Sequence, residues 1–141
     1  MTATNTEIVL VGPFWTRSKT IRTLGCSAEC LLDRCDVLRI GARLSEEVYP
    51  AFQFQHHQVR KEIGTVTNLL IRHDITGAVI CDWFVHANPD MDDITPLEWL
   101  NRGRSRETVL DSAHRSISAL QDKTAELRSH NLPYEGHHGP D

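Results

Sequence analysis

The chain has 141 residues, 40% of them apolar, and a formal net charge of −4 at pH 7. That size supports one ordinary core or two very small ones, and the acidic balance argues against indiscriminate nucleic-acid binding. No apolar run approaches the ~18 residues of a spanning helix and no signal peptide is evident, so a cytoplasmic protein without a membrane partner is expected.

Residues 1–13 read as a flexible start with one short apolar segment, Ile8–Val11, closed by Gly12-Pro13. A helix is predicted from Thr16, which can cap it, with Ile21 and Leu24 on its inner face. Gly25 breaks that helix, because glycine permits the left-handed backbone of a tight turn. Ser27 then caps a second helix carrying Leu31 and Leu32. Helix, Leu24-Gly25-Cys26-Ser27, helix has the proportions of a helix-turn-helix. Val37–Ile40, Gly41 and Val48–Pro50 follow as two short extended segments around a loop, the pattern of a small hairpin or wing. Tyr49-Pro50-Ala51-Phe52-Gln53-Phe54 is an aromatic junction in which Phe52 and Phe54 are expected to be buried.

From about His57 the pattern becomes helical, with Val59, Ile63, Val66 and Leu70 forming an apolar stripe. Asp74-Ile75-Thr76-Gly77 breaks it. A second amphipathic helix carries Val79, Ile80, Trp83, Phe84 and Ala87, until Asn88-Pro89 turns the backbone away from helical geometry. Thr95-Pro96-Leu97-Glu98 starts a short helix with a cap, a first-position proline and a capping-box carboxylate. Gly103 ends it. The last helix begins near Ser105, with Val109, Ala113, Ile117 and Leu120 on one side, and reaches about Ser129. Residues 56–129 are thus predicted to be almost entirely helical. Val66, Leu70, Ile80, Trp83, Phe84, Leu97, Leu100, Val109 and Ala113 form their shared core.

The fold class expected is mainly α. An N-terminal winged helix-turn-helix-like unit (14–50, after the flexible segment 1–13) precedes a four-helix unit (51–130) and a disordered tail (131–141). Neither half is large enough to be very stable alone, so packing between them or a homodimer is expected.

Chemistry is sparse. Cys26, Cys30, Cys35 and Cys81 lack the paired knuckles of a zinc site, so reduced thiols and no metal are expected. No phosphate-cradling glycine loop or nucleophile elbow occurs. His86 and Asp82 share a helix face, with Asp90, Asp92 and Asp93 close behind. An acidic loop ahead of a capped helix is also what the helix dipole favours. No enzyme and no cofactor are expected.

Charge is uneven: residues 1–43 hold six basic and four acidic side chains, and the remainder carries −6. DNA contact, if made, falls to Arg17, Lys19, Arg22, Ser27, Arg34, Arg39 and Arg43, with Arg34 the best-placed cation for the second helix. Glu29 and Asp33 on that helix oppose phosphates. In the second half, Asp92 and Asp93 on one side of the short helix, and Arg102, Arg104 and Arg106 on the other, bracket a surface for a charged partner. The polar stretch after Leu120 offers a segment able to order on that partner.

The order of these signals, from Trp83 through Asn88-Pro89, Pro96, Leu100 and Gly103-Arg104, resembles the toxin-binding domain of Xre/MbcA/ParS-type antitoxins. Related antitoxin-like proteins also carry a Tyr-Pro-x-Phe-Gln-Phe segment at the junction. The resemblance implies a type II antitoxin whose cognate toxin is commonly a RES-domain enzyme that consumes NAD, inhibited by occlusion of its active site. It also implies transcriptional regulation through operator DNA. Asp92-Asp93 departs from the family, where small residues such as glycine are usual. The alternatives are a stand-alone DNA-binding transcriptional regulator and a protein-interaction module that has lost DNA binding.

Overall fold

The computed structural model describes residues 8, 10, 12–41 and 47–136, with side chains through 129. Most of it is helical. A short strand β1 (Phe14–Thr16) leads into α1 (Arg17–Leu24) and α2 (Ala28–Asp33). Strand β2 (Val48–Pro50), a 3-10 turn at Ala51–Gln53, and strands β3 (Phe54–Gln55) and β4 (Gln58–Val59) follow. The rest is α3 (Lys61–Arg72), α4 (Gly77–Phe84), a 3-10 turn at Pro89–Met91, α5 (Pro96–Asn101) and α6 (Arg106–Gly136).

The local signals act as side-chain chemistry dictates. Thr16 Oγ1 accepts from the Lys19 amide, Ser27 Oγ from Cys30, and Thr95 Oγ1 from Glu98. Each such cap contributes about 1 kcal/mol. Gly25 ends α1 at φ 68°, and Gly103 follows α5 at φ 74°.

Several expectations are corrected. Of the hairpin expected across residues 37–50, the described residues show one reciprocal pair of 2.9 Å hydrogen bonds, between Ile40 and Val48, and residues 42–46 lie outside the described residues. The main partner of β2 is instead β1, antiparallel, with Trp15 opposite Tyr49. Helix was expected from His57, yet Gln58–Val59 is a strand paired with Phe54–Gln55. The two-residue turn between them, His56-His57, has φ of 55° and 65°, the left-handed geometry a tight hairpin demands. Val59 therefore faces the smaller core and not the stripe of α3. Helix α4 stops at Phe84, leaving Ala87 exposed in the turn. Helix α6 runs to Gly136, past the limit expected near 129 and into the tail expected from 131, while residues 137–141 lie outside the described residues. Phe52 and Phe54 are half-buried, and the residue between them, Gln53, is the one fully enclosed. Of the two leucines expected on the second helix, Leu31 is buried and Leu32 is 43% exposed.

Two apolar cores form. The larger gathers Ile63, Val66, Leu70, Ile80, Trp83, Phe84, Leu100, Val109 and Ala113, with Leu97 half-buried against it. The smaller holds Leu31, Val37 and Tyr49, flanked by Trp15, Ile21, Leu24, Phe54 and Val59. Trp15 and Phe54 stack at 4.4 Å with planes 9° apart.

Segment 36–40 joins them. Val37 is sealed in the smaller core and Leu38 in the larger. The Gln53 side-chain amide accepts from Leu38 N at 2.7 Å and donates to Leu38 O at 2.8 Å, satisfying a backbone stretch that no strand covers. The helical unit receives the segment at two glycines. A methyl group on Gly64 would meet Val59 Cγ1 at 3.1 Å and Asp36 Cβ at 3.3 Å, and one on Gly77 would overlap the Arg39 carbonyl oxygen. No helix of the described residues is long and apolar enough to cross a membrane.

Candidate functional site

The turn–helix–turn from Asn88 to Arg104 is held from three sides. Asn88 Oδ1 caps the 3-10 turn by accepting from Asp90 N at 2.8 Å, and Asn88 Nδ2 donates to Ser112 Oγ at 3.1 Å. Buried Ser112 donates in turn to Asp90 Oδ2 at 2.8 Å, and Arg115 Nη2 reaches the same oxygen at 3.0 Å. The loop is thereby pinned to α6. At the far end of α5 the Trp99 indole donates to the Ser105 carbonyl at 2.9 Å.

The bracket of charges expected around α5 is largely closed on itself. Arg104 Nη1 lies 2.9 Å from Asp92 Oδ2 and its guanidinium sits 4.6 Å from the centre of the Trp99 ring. Arg102 pairs with Glu98 one turn back at 3.0 Å. Asp93 and Arg106 are exposed. Asp92 and Asp93 both have left-handed backbone, at φ 56° and 61°. Glycine adopts that geometry without cost and aspartate tolerates it better than most residues.

The Ser112 hydroxyl, and then the Arg115 guanidinium, hold the Asp90 carboxyl below the usual carboxylate range. A depressed folded value stabilises above the unfolded value of about 3.9 and ceases to do so as pH falls through the folded one. Ser112→Ala, which removes the hydrogen bonds of Ser112 to Asn88 and Asp90, is expected to lower stability at neutral pH. It should also move the Asp90 titration upward, read by carboxyl-carbon NMR. An unmoved Asp90 titration in the variant rules out the hydroxyl as its main partner.

Among the residues expected to meet DNA, most are already engaged. Arg34 ends α2 and does not lie on it, forming a two-bond pair with Asp36 at 2.9 and 2.8 Å. That contact holds the Asp36 carboxyl low and raises the Arg34 guanidinium. Arg39 Nη2 donates to the carbonyls of Leu31 and Arg34 at 2.8 and 2.9 Å, closing the end of α2. Lys19 lies 4.8 Å over the Trp15 ring, and Ser27 is the cap of α2. Arg22 is exposed and Arg17 half-buried. Arg43 lies outside the described residues. The outward side of α2 shows Glu29, Cys30, Leu32 and Asp33.

Asp82, whose side chain is 4% exposed, meets Lys123 Nζ at 2.8 Å and His86 Nδ1 at 3.0 Å. Gln121 donates to the His73 carbonyl, Thr124 Oγ1 accepts from Thr76 N and Leu127 packs against the larger core, so the stretch after Leu120 is part of the packed body up to Leu127. Among the described residues no three His, Cys, Asp or Glu side chains gather as a metal ion would require.

A polar cleft of about 630 Å³ escaped the sequence reading. Its walls are the end of α2 (Arg34, Asp36), the β3–β4 hairpin, and Arg60, Lys61 and Glu62 at the start of α3. The sequence signal was present in the run His56-His57-Gln58-Val59-Arg60-Lys61-Glu62, but a predicted helix through His57 hid the turn that makes it a wall.

No family model matches the chain, and no curated protein matches it. Among solved structures it is similar to the protein of the "NMR structure of Rv2175c", with a TM-score of 0.52 over 85% of this chain and 86% of that one. At 15% identity the likeness is one of fold.

Proposed function

We propose that this chain is a non-catalytic, antitoxin-like transcriptional regulator that acts as a homodimer. Its helical half binds and inhibits a cognate toxin of the RES-domain type, and its N-terminal half, a winged helix-turn-helix-like unit, contacts operator DNA. The observation that carries the reading is the rigid mounting of the Asn88–Arg104 turn–helix–turn, whose sequence signals are those of the antitoxin resemblance. A preorganised surface loses little entropy when a partner docks. Asp93 and Arg106 flank α5 without contributing to its internal ion pairs, and they are the residues that orient a partner.

Co-expression with a toxin encoded beside this gene is expected to give a stable complex that spares cellular NAD. Asp93→Lys with Arg106→Glu should weaken that complex at least tenfold while the free protein, strained only at the left-handed residue 93, keeps its helical circular-dichroism spectrum. Absence of a complex, or a complex indifferent to the double reversal, overturns the assignment of this surface.

One observation favours a protein-interaction module that has lost DNA binding. Arg34 and Arg39 serve the interior, and α2 presents Glu29 and Asp33 outward. A mobility-shift titration on the upstream fragment separates the two. Operator binding requires affinity that falls with salt, at about −0.9 per phosphate neutralised, and that weakens in Arg22→Ala. No retardation leaves the interaction module.

A further inference from the structure

Helix α2 is held to the molecule by little of its own surface. Of Ala28–Asp33 only Leu31 is buried, and Leu32 is left 43% exposed. Short helices draw most of their stability from a packed face, and here that face is a single residue. Ala28, also exposed, lies one turn before Leu32, so the two form an uncovered apolar strip. Beside it stand Glu29 and Asp33, one turn apart and exposed. Helix α1, separated from α2 by Gly25-Cys26-Ser27, carries exposed Lys19 and Arg22 one turn apart. No ion pair among the described residues uses any of these four charges. They differ in this from Arg34, Arg102 and Arg104, whose carboxylate partners the fold supplies.

From this we propose that the α1–α2 face is a dimer interface and that its occupant is a second copy of this chain. The face is self-complementary. A two-fold axis that sets the acidic α2 of one protomer against the basic α1 of its partner makes both contacts at once and covers Leu32 on each side. Setting α2 against α2 opposes carboxylate to carboxylate, and the same carboxylates repel a nucleic-acid backbone. A second copy therefore fits this face better than an operator does. Burial of Leu32 and Ala28 supplies affinity, while the charges fix the register and exclude the wrong apposition. The assignment rests on the homodimer of the proposed function and goes beyond it by naming the surface.

The test weighs the full chain by sedimentation equilibrium at low ionic strength. The wild type is expected to be a dimer that added salt weakens. Leu32→Glu should raise the dimer dissociation constant about tenfold or more, with the helical circular-dichroism spectrum kept because the side chain replaced is exposed. Lys19→Glu with Arg22→Glu, and separately Glu29→Lys with Asp33→Lys, should each be monomeric, since each double variant carries one sign of charge on both helices. Mixing the two should restore a dimer with one copy of each, because every acidic helix then meets a basic one. That rescue also shows that both variants fold. A wild type that stays monomeric into the millimolar range overturns both this face and the homodimer. A wild-type dimer that Leu32→Glu leaves intact, or folded double variants that do not pair with each other, overturns this face and leaves the homodimer standing.

Discussion

Gly77→Ala is expected to destabilise the protein by about 3 kcal/mol or more, a large loss for one added methyl group. The sign is informative, because two effects oppose each other. Alanine is the better helix former, so propensity alone predicts a gain of up to about 1 kcal/mol within α4. The added carbon, however, would overlap the carbonyl oxygen of Arg39, and both sides of that contact are backbone. Overpacking of flexible side chains costs about 1–3 kcal/mol, and a backbone collision lies at the upper end or beyond. The segment must lift away from α4, which opens both cores. Urea denaturation measures the outcome: a midpoint equal to or above that of the wild type shows that segment 36–40 does not seat against Gly77.

Trp83→Ala should cost about 3–5 kcal/mol, the range for emptying a large aromatic site. Trp83 is 8% exposed and meets Phe84 edge-on, with ring centres 5.3 Å apart and planes at 77°. Phe84 in turn packs on Phe52 from the junction at 5.8 Å. The cavity therefore cannot collapse without disturbing the contact between the junction and the helical half. Trp83→Phe, which keeps a ring in place, should recover more than half of the loss. Thermal unfolding of the two variants checks both values, and a Trp83→Ala protein as stable as the wild type places that ring outside the core.

The helices were legible because their signals are local. Thr16, Ser27, Thr95 and Gly25 act within one turn of themselves, and the 3.6-residue stripes of α3 and α6 name their own buried faces, whereas α4 is buried all round from Val79 to Phe84. What depended on distant partners was not legible. Val48–Pro50 reads as half of a hairpin with its nearest extended neighbour, yet it pairs with Phe14–Thr16, more than thirty residues away. Gln53 looks like a polar break between two phenylalanines, and its burial rests on Leu38, fifteen residues back, which meets both ends of its side-chain amide. The charged residues mislead for the same reason. Arg34, Arg39, Arg102 and Arg104 are cations in the sequence, but each has an acceptor supplied by the fold. Counting charges cannot tell a spoken-for guanidinium from an available one. The His56-His57 turn was hidden by composition, since a tight left-handed hairpin is normally announced by Asn-Gly.

Segment 36–40 also sets how the molecule opens. Val37 and Leu38 are adjacent, so one peptide bond connects the two cores, and Gln53 grips that bond's neighbour from both sides. Loosening either core withdraws a side chain from the other, so the two halves are expected to unfold in a single cooperative transition. Free energy gained at one half is then felt at the other with no moving hinge between them, because each half contributes to the same equilibrium. A molecule built this way transmits occupancy as a change in its readiness to open.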